Sequence, residues 1–248
     1  MFLLTLFRVL LVSFGTLSVL GAQERPRDLR NEIHRQYQLA PNTTVEVSMI
    51  AGSVEIETTN GESAEVNIIN SAETQADLNC EDTLVEQSSG KLSIRSRARC
   101  QIVRVSQRVM LKLPRNVNLE LQNIAGHVSI GPTEGTVRLN SIAGHVNASS
   151  LQFAEMSSLA EGLSMEIKQI GKRGLRLSSI VGGVELALSD TLNAQFDASS
   201  IIGNVVSDIP NVKVTTVDHY NFAAQIGSGG PAINISSVRG GIRLRKLD

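Results

Sequence analysis

The sequence predicts an all-β fold built as a solenoid, on three observations. A short segment recurs along the chain at spacings of 15 to 22 residues, and apolar and polar residues alternate inside each copy. Aromatic residues make up only 3% with no Trp, so the core has to come from Val, Ile, Leu and Ala. A period near twenty is too short for helical-pair repeats and matches one turn of a stacked β-coil. Hydrophobic residues at 42% are enough for a sizeable core. Twenty-three basic against twenty-four acidic residues, a net charge of −1, exclude a large nucleic-acid footprint. The shortage of rings likewise excludes a base-stacking platform.

Residues 1–22 carry one charge, Arg8, then an apolar run from Val9 to Leu20 and the small residues Gly21 and Ala22. That is the layout of a secretory signal peptide. The rival is an uncleaved membrane anchor, but the run after Arg8 is shorter than the ~20 residues a span needs. Export to the periplasm, the cell surface or the medium is therefore expected. It makes Cys80 and Cys100, the only cysteines, most simply a disulfide, with two buried free thiols as the alternative. A loop of this length would stabilise the fold by roughly 3 kcal/mol.

Residues 23–42 form a charged N-terminal cap or linker, with a short helix expected over 28–37. A terminal polar element commonly covers the open end of a solenoid. The solenoid domain is expected over 43–248, with an irregular insertion at 70–105 that carries both cysteines.

Six segments read alike: SMIAGSVEI (48–56), QNIAGHVSI (122–130), NSIAGHVNA (140–148), SSIVGGVEL (178–186), SSIIGNVVS (199–207) and SSVRGGIRL (236–244). Two more are degenerate, SSLAEGLSM (157–165) with Glu161 at the Gly position and TTVDHYNF (215–222) with Asp218 there. Half-buried strands account for the apolar columns, Ile124, Ile142 and Ile180 before the glycine and Val128, Val146 and Val184 after it. The repeat glycines Gly52, Gly126, Gly144, Gly182, Gly203 and Gly240 either supply a positive φ or let adjacent backbone come close. Asn123, Ser141, Ser158, Ser179, Ser200, Thr216 and Ser237 stack as a corner ladder, whose hydroxyls and amides are expected to bond the neighbouring rung's backbone. A row of nucleophilic serines would need a base that the repeat never supplies.

The strand Arg108–Pro114 leads into Val117–Leu121, then Ile124-Ala125-Gly126-His127-Val128 and the rungs Ser179–Val184 and Ser200–Val205. On these residues the chain resembles the DUF4097 family of adhesin-like bacterial proteins, related to the head domains of autotransporter adhesins, over most of 43–247. The resemblance implies a right-handed, β-helix-like solenoid of about eight irregular rungs on an exported protein. It brings no catalytic or ligand-binding residues with it.

The chemistry-bearing residues are sparse. His127 and His145 share a column on consecutive rungs, ~5 Å apart if in register, yet without a placed carboxylate they fall short of a metal site. The carboxylates are scattered: Glu55 and Glu185 occupy comparable outward positions, while other rungs carry Ser129, Asn147 or Val206 there. General acid–base work needs two held a few ångströms apart. The basic tail Arg239, Arg243, Arg245 and Lys246 is expected to keep an exposed last rung soluble and to block end-to-end stacking. The expectation is a non-catalytic envelope protein, requiring no cofactor, whose solenoid is an adhesion or scaffolding surface for a glycan or protein. The alternatives are an end-to-end polymer of the bactofilin kind and a glycan-active β-helix enzyme.

Overall fold

The computed structural model describes residues 29–247, and the expected signal segment lies outside them. The chain opens with β1 (Leu29–Gln38), β2 (Thr44–Ile50), β3 (Gly52–Thr59) and β4 (Ser63–Ala72). A strand stands where a helix is expected over 28–37. The spacing of Leu29, Ile33 and Tyr37 fits either period, and pairing decides: β1 lies antiparallel along all of β4, from Leu29↔Ala72 to Gln38↔Ser63. One helical turn, α1 (Gln75–Leu78), follows, capped by the Thr74 hydroxyl, which accepts the Asp77 N–H at 3.0 Å. Then come β5 (Glu81–Ser88), β6 (Lys91–Ala98) and β7 (Ser106–Pro114). Cys80 and Cys100 are bonded, joining the entry of β5 to the exit of β6.

Next the chain alternates between two sheets. β8 (Asn118–Ile124), β10 (Thr133–Ile142), β12 (Leu151–Leu159) and β14 (Leu175–Val181) lie in one sheet. β9 (Val128–Ile130), β11 (Val146–Ser149), β13 (Leu163–Ile167) and β15 (Val184–Leu188) lie in the other. Neighbouring strands are parallel and in register, as in Leu139↔Leu121 and Leu139↔Met156. The inward columns of both sheets form one core. Within β8, Leu121 and Ile124 are both buried although three residues apart, because Asn123 sits at φ 55 and shifts the alternation by one. Ser141, Ser158, Ser179, Ser200 and Ser237 do the same at φ 54 to 58, as does Met49 at φ 60.

These side chains are exposed, and among the described residues they make no hydrogen bonds to the next rung. The corner backbone is satisfied by backbone instead: Ala125 N–H to the Ile50 carbonyl at 2.8 Å and Ala143 N–H to that of Ile124 at 2.8 Å. Small polar residues fit the column because they tolerate the left-handed conformation. The glycine column answers a different demand. A Cβ on Gly144 would lie 2.1 Å from the Gly126 carbonyl oxygen, and one on Gly126 2.0 Å from that of Gly52. At these two bends the close approach of successive backbones leaves no room for a side chain. Glu161 keeps its rung in register, with Leu159↔Ile180 and Leu163↔Val184, while Gly162 takes a positive φ of 98° one residue later.

The C-terminal part departs most from the expected order. It comprises β16 (Ala194–Ile202), β17 (Val205–Ser207), β18 (Val212–Val217), β19 (Phe222–Ile226), β20 (Ala232–Arg239) and β21 (Ile242–Lys246). The ten-stranded sheet runs β1-β4-β7-β3-β9-β11-β13-β15-β21-β17, and the eleven-stranded one β18-β19-β16-β20-β14-β12-β10-β8-β2-β6-β5. The last segment in sequence, β20 and β21, is thus inserted between its predecessors. Arg239, Arg243, Arg245 and Lys246 belong to an interior rung and do not protect an end. The stretch 215–222 is not a rung either. β18 and β19 form an antiparallel hairpin whose turn is closed by the Asp218 carboxylate, which accepts the Tyr220 and Asn221 N–H groups at 2.9 and 2.8 Å. Thr216 accordingly lies outside the left-handed column.

Candidate functional site

The outer face of the eleven-stranded sheet carries a ladder of ions. Parallel register puts Glu120, Arg138, Glu155 and Arg176 side by side on successive strands. Arg138 bonds Glu120 and Glu155, each at 3.2 Å, and Arg176 bonds Glu155 at 2.9 Å. The Arg176 guanidinium, with that of Arg138, holds the Glu155 carboxyl below the usual range. Glu46 is likewise lowered, mainly by its ion pair with Lys91. Glu46, Glu120 and Glu155, which look scattered in sequence, are therefore matched by cations across strands. Aligning the strand before each corner, as well as the corner itself, would have revealed the alternation.

The ten-stranded sheet presents a different face. Its outward column runs Glu55, Ser129, Asn147, Ser164, Glu185, Arg243, Val206 on adjacent strands. Glu55 and Glu185 stand four strands apart, ~19 Å at ~4.8 Å per strand, beyond the ~5–9.5 Å that separates paired glycosidase carboxylates. Glu55 is tied to Arg108 at 2.9 Å and Glu185 to Arg245 at 2.7 Å. Beside this column, glycines follow the bend on three strands, Gly162, Gly183 and Gly241. Over the last two the surface sinks into a groove of about 470 Å³. His145, Glu161, Ser164, Glu185, Asn204, Val206 and Arg243 stand around it. A second hollow of about 320 Å³ adjoins, bordered by Asn147, Ser164, Glu166, Glu185 and Arg245. Glu185 is shared by both hollows, its charge matched by the Arg245 guanidinium.

His127 and His145 are adjacent, as the column predicts, and three of their four ring nitrogens are engaged. His127 Nδ1 accepts the His145 backbone N–H at 3.2 Å. The His145 ring meets the Glu161 carbonyl at 3.2 Å and the Ser164 hydroxyl at 3.0 Å. His145 stands in the groove wall. Among the described residues no three His, Cys, Asp or Glu side chains gather as a metal-ligand group. No helix among them is long and apolar enough to cross a membrane.

Sequence reasoning missed a buried polar cluster near the other end. Gln107, 2% exposed, donates through Nε2 to Asn70 Oδ1 at 3.1 Å, Thr83 Oγ1 at 3.2 Å and Ser96 Oγ at 2.6 Å. Its Oε1 accepts the Ala51 N–H at 3.1 Å. Alongside, Glu81 has one carboxylate oxygen buried without a partner, and burial pushes its carboxyl above the ordinary range. The folded chain thus binds that proton more tightly than the unfolded chain. Stability from this group should rise as pH falls through the raised value toward the ordinary carboxylate pKa. Glu81→Gln is expected to raise the Tm at neutral pH, with the gain shrinking toward about pH 4. Thermal scans of both proteins across that range check it; a gain independent of pH would remove the titration from the account.

No family model and no curated protein matches the chain. Among solved structures, it is similar to a putative cell adhesion protein from Clostridium sporogenes at 12% identity and a TM-score of 0.47, covering 87% of this chain and 100% of that one. A putative adhesin from Bacteroides fragilis aligns at 11% identity and 0.34, over 86% and 97%. A putative lipid binding protein from Parabacteroides distasonis aligns at 12% and 0.29, over 87% and 97%. At these scores the likeness carries no argument about activity, and the DUF4097 reading stays a resemblance.

Proposed function

We propose that this is a non-catalytic, exported cell-envelope protein whose solenoid face is an adhesion or scaffolding surface. In this reading residues 1–22 are a signal, 23–42 a cap and linker, and 43–248 a right-handed solenoid of about eight rungs. The observation that carries it is how the outward charges are used. On the eleven-stranded sheet Glu120, Arg138, Glu155 and Arg176 are matched in a cross-strand ladder. The open contact surface is then the small polar strip Ser129, Asn147 and Ser164 with the groove beside it. A long shallow trough edged by hydroxyl, amide and ionic groups suits a linear polar chain such as a glycan. The resemblance drawn from the rungs points the same way.

The test is binding of the chain from Gln23 to glycans and peptidoglycan, with soluble products monitored. Gly183→Tyr fills the groove where an added Cβ meets only the Gly241 oxygen at 3.7 Å, so the fold should tolerate it. Saturable binding without product, weakened about tenfold or more by that substitution, is the expected result. Released oligosaccharide would replace adhesion with catalysis and direct attention to Glu166 and Glu185. Binding unchanged by Gly183→Tyr would move the contact off the groove.

A further inference from the structure

We infer that the Cys80–Cys100 bond is a redox latch on a movable sheet edge. With the bond reduced, the first half of β5 comes away from β6 and carries Glu81 out to water. β5 is the last strand of the eleven-stranded sheet and pairs with β6 alone, from Glu81↔Ala98 to Ser88↔Lys91. No residue of β5 is fully buried, whereas Leu92, Ile94 and Ser96 of β6 are. Directly opposed residues of an antiparallel pair point to the same face. Thr83 and Val85 oppose Ser96 and Ile94, so Glu81, Thr83 and Val85 are the side chains that β5 turns inward. Two of the three are polar, and little apolar burial holds the strand in place. Edges held so lightly open locally, without the rest of the fold.

Glu81 works against closure of this edge. One of its carboxylate oxygens is buried without a partner, and a charge there loses its hydration with nothing in exchange. The Ser96 hydroxyl and the Arg97 N–H offset that burial only in part. No cation compensates it either. Asp82 lies on the other side of β5, where it holds Arg97 and Arg99 at 3.0 and 2.7 Å, while Asn70 on β4 and Gln107 on β7 are neutral. The disulfide opposes opening by tying the entry of β5 to the exit of β6, where the Arg99 N–H also meets the Cys80 carbonyl at 2.8 Å. Cys100 is exposed, so a dithiol reductant reaches its sulfur. One thiolate of the reductant attacks Cys100 Sγ and displaces Cys80. Its second thiol then displaces Cys100. The reductant ends as a disulfide, and its two electrons and two protons leave both cysteines as thiols.

Amide hydrogen exchange of the chain from Gln23, with and without dithiothreitol, tests the latch. Protection of the Glu81–Leu84 amides should fall about tenfold or more on reduction, with that of β12 unchanged. Cys80→Ser with Cys100→Ser should reproduce the reduced pattern without reagent. Adding Glu81→Gln to that double variant should restore much of the protection at about pH 7.5 and little at about pH 4.5, where the closed strand already holds its proton. Equal protection of β5 in the oxidised and reduced chains would overturn the inference. So would a loss that reaches β12 to the same extent, which is global unfolding, or a Glu81→Gln chain that opens as readily at both pH values.

Discussion

Gly144→Ala is expected to cost about 3 kcal/mol or more, or to prevent folding. The methyl would meet the Gly126 carbonyl oxygen at 2.1 Å and its carbon at 2.3 Å. Both are backbone atoms of the next bend, so no rotamer change relieves the clash. Separating the two bends would break the ladder on both sheets, since each corner hands its chain from one to the other. Gly90→Ala is the control: its Cβ meets open space, and only the positive φ of 74° opposes it, a penalty of about 1 kcal/mol. Urea unfolding followed by circular dichroism would rank the pair. Equal losses would mean that backbone conformation, and not close approach, selects glycine in this column.

Gln107→Leu should destabilise by about 3 kcal/mol despite the similar volume. The Gln107 side chain bridges Asn70 on β4, Thr83 on β5 and Ser96 on β6, and receives the N–H of Ala51. Its removal strands the Asn70 oxygen in a buried place, an orphan costing ~1–3 kcal/mol, and leaves the part-buried Ala51 N–H without its acceptor. The Asn70→Leu/Gln107→Leu double variant should recover part of the loss, because fewer polar groups then lack partners. A single substitution that costs under about 1 kcal/mol would show that water enters the cluster.

The apolar columns, the corner and the glycine at each bend are legible in the sequence because they are local. Leu121 and Ile124 disclose the phase shift at Asn123, and the same three-residue step recurs at Leu139–Ile142 and Leu177–Ile180. A single pair of cysteines behind a segment laid out as a secretory signal was enough to expect their bond. The role of the corner serines was not legible, since a hydroxyl suited to bonding and a residue tolerant of φ near 55° look identical in a string of letters.

What the sequence by itself determined is the rung; what only the tertiary structure decided is which rung lies beside which. Every copy presents the same inward columns at the same bend, so β14 can pair equally well with β16 or β20 as far as local pattern goes. Packing of the whole stack places β20 and β21 next to β14 and β15 and sends β16 and β17 to the end. From that order follow the Arg245–Glu185 pair, the groove across Gly183 and Gly241, and the overhanging hairpin. Each depends on contacts between segments tens of residues apart, and a repeating sequence carries no signal that ranks one equivalent neighbour above another.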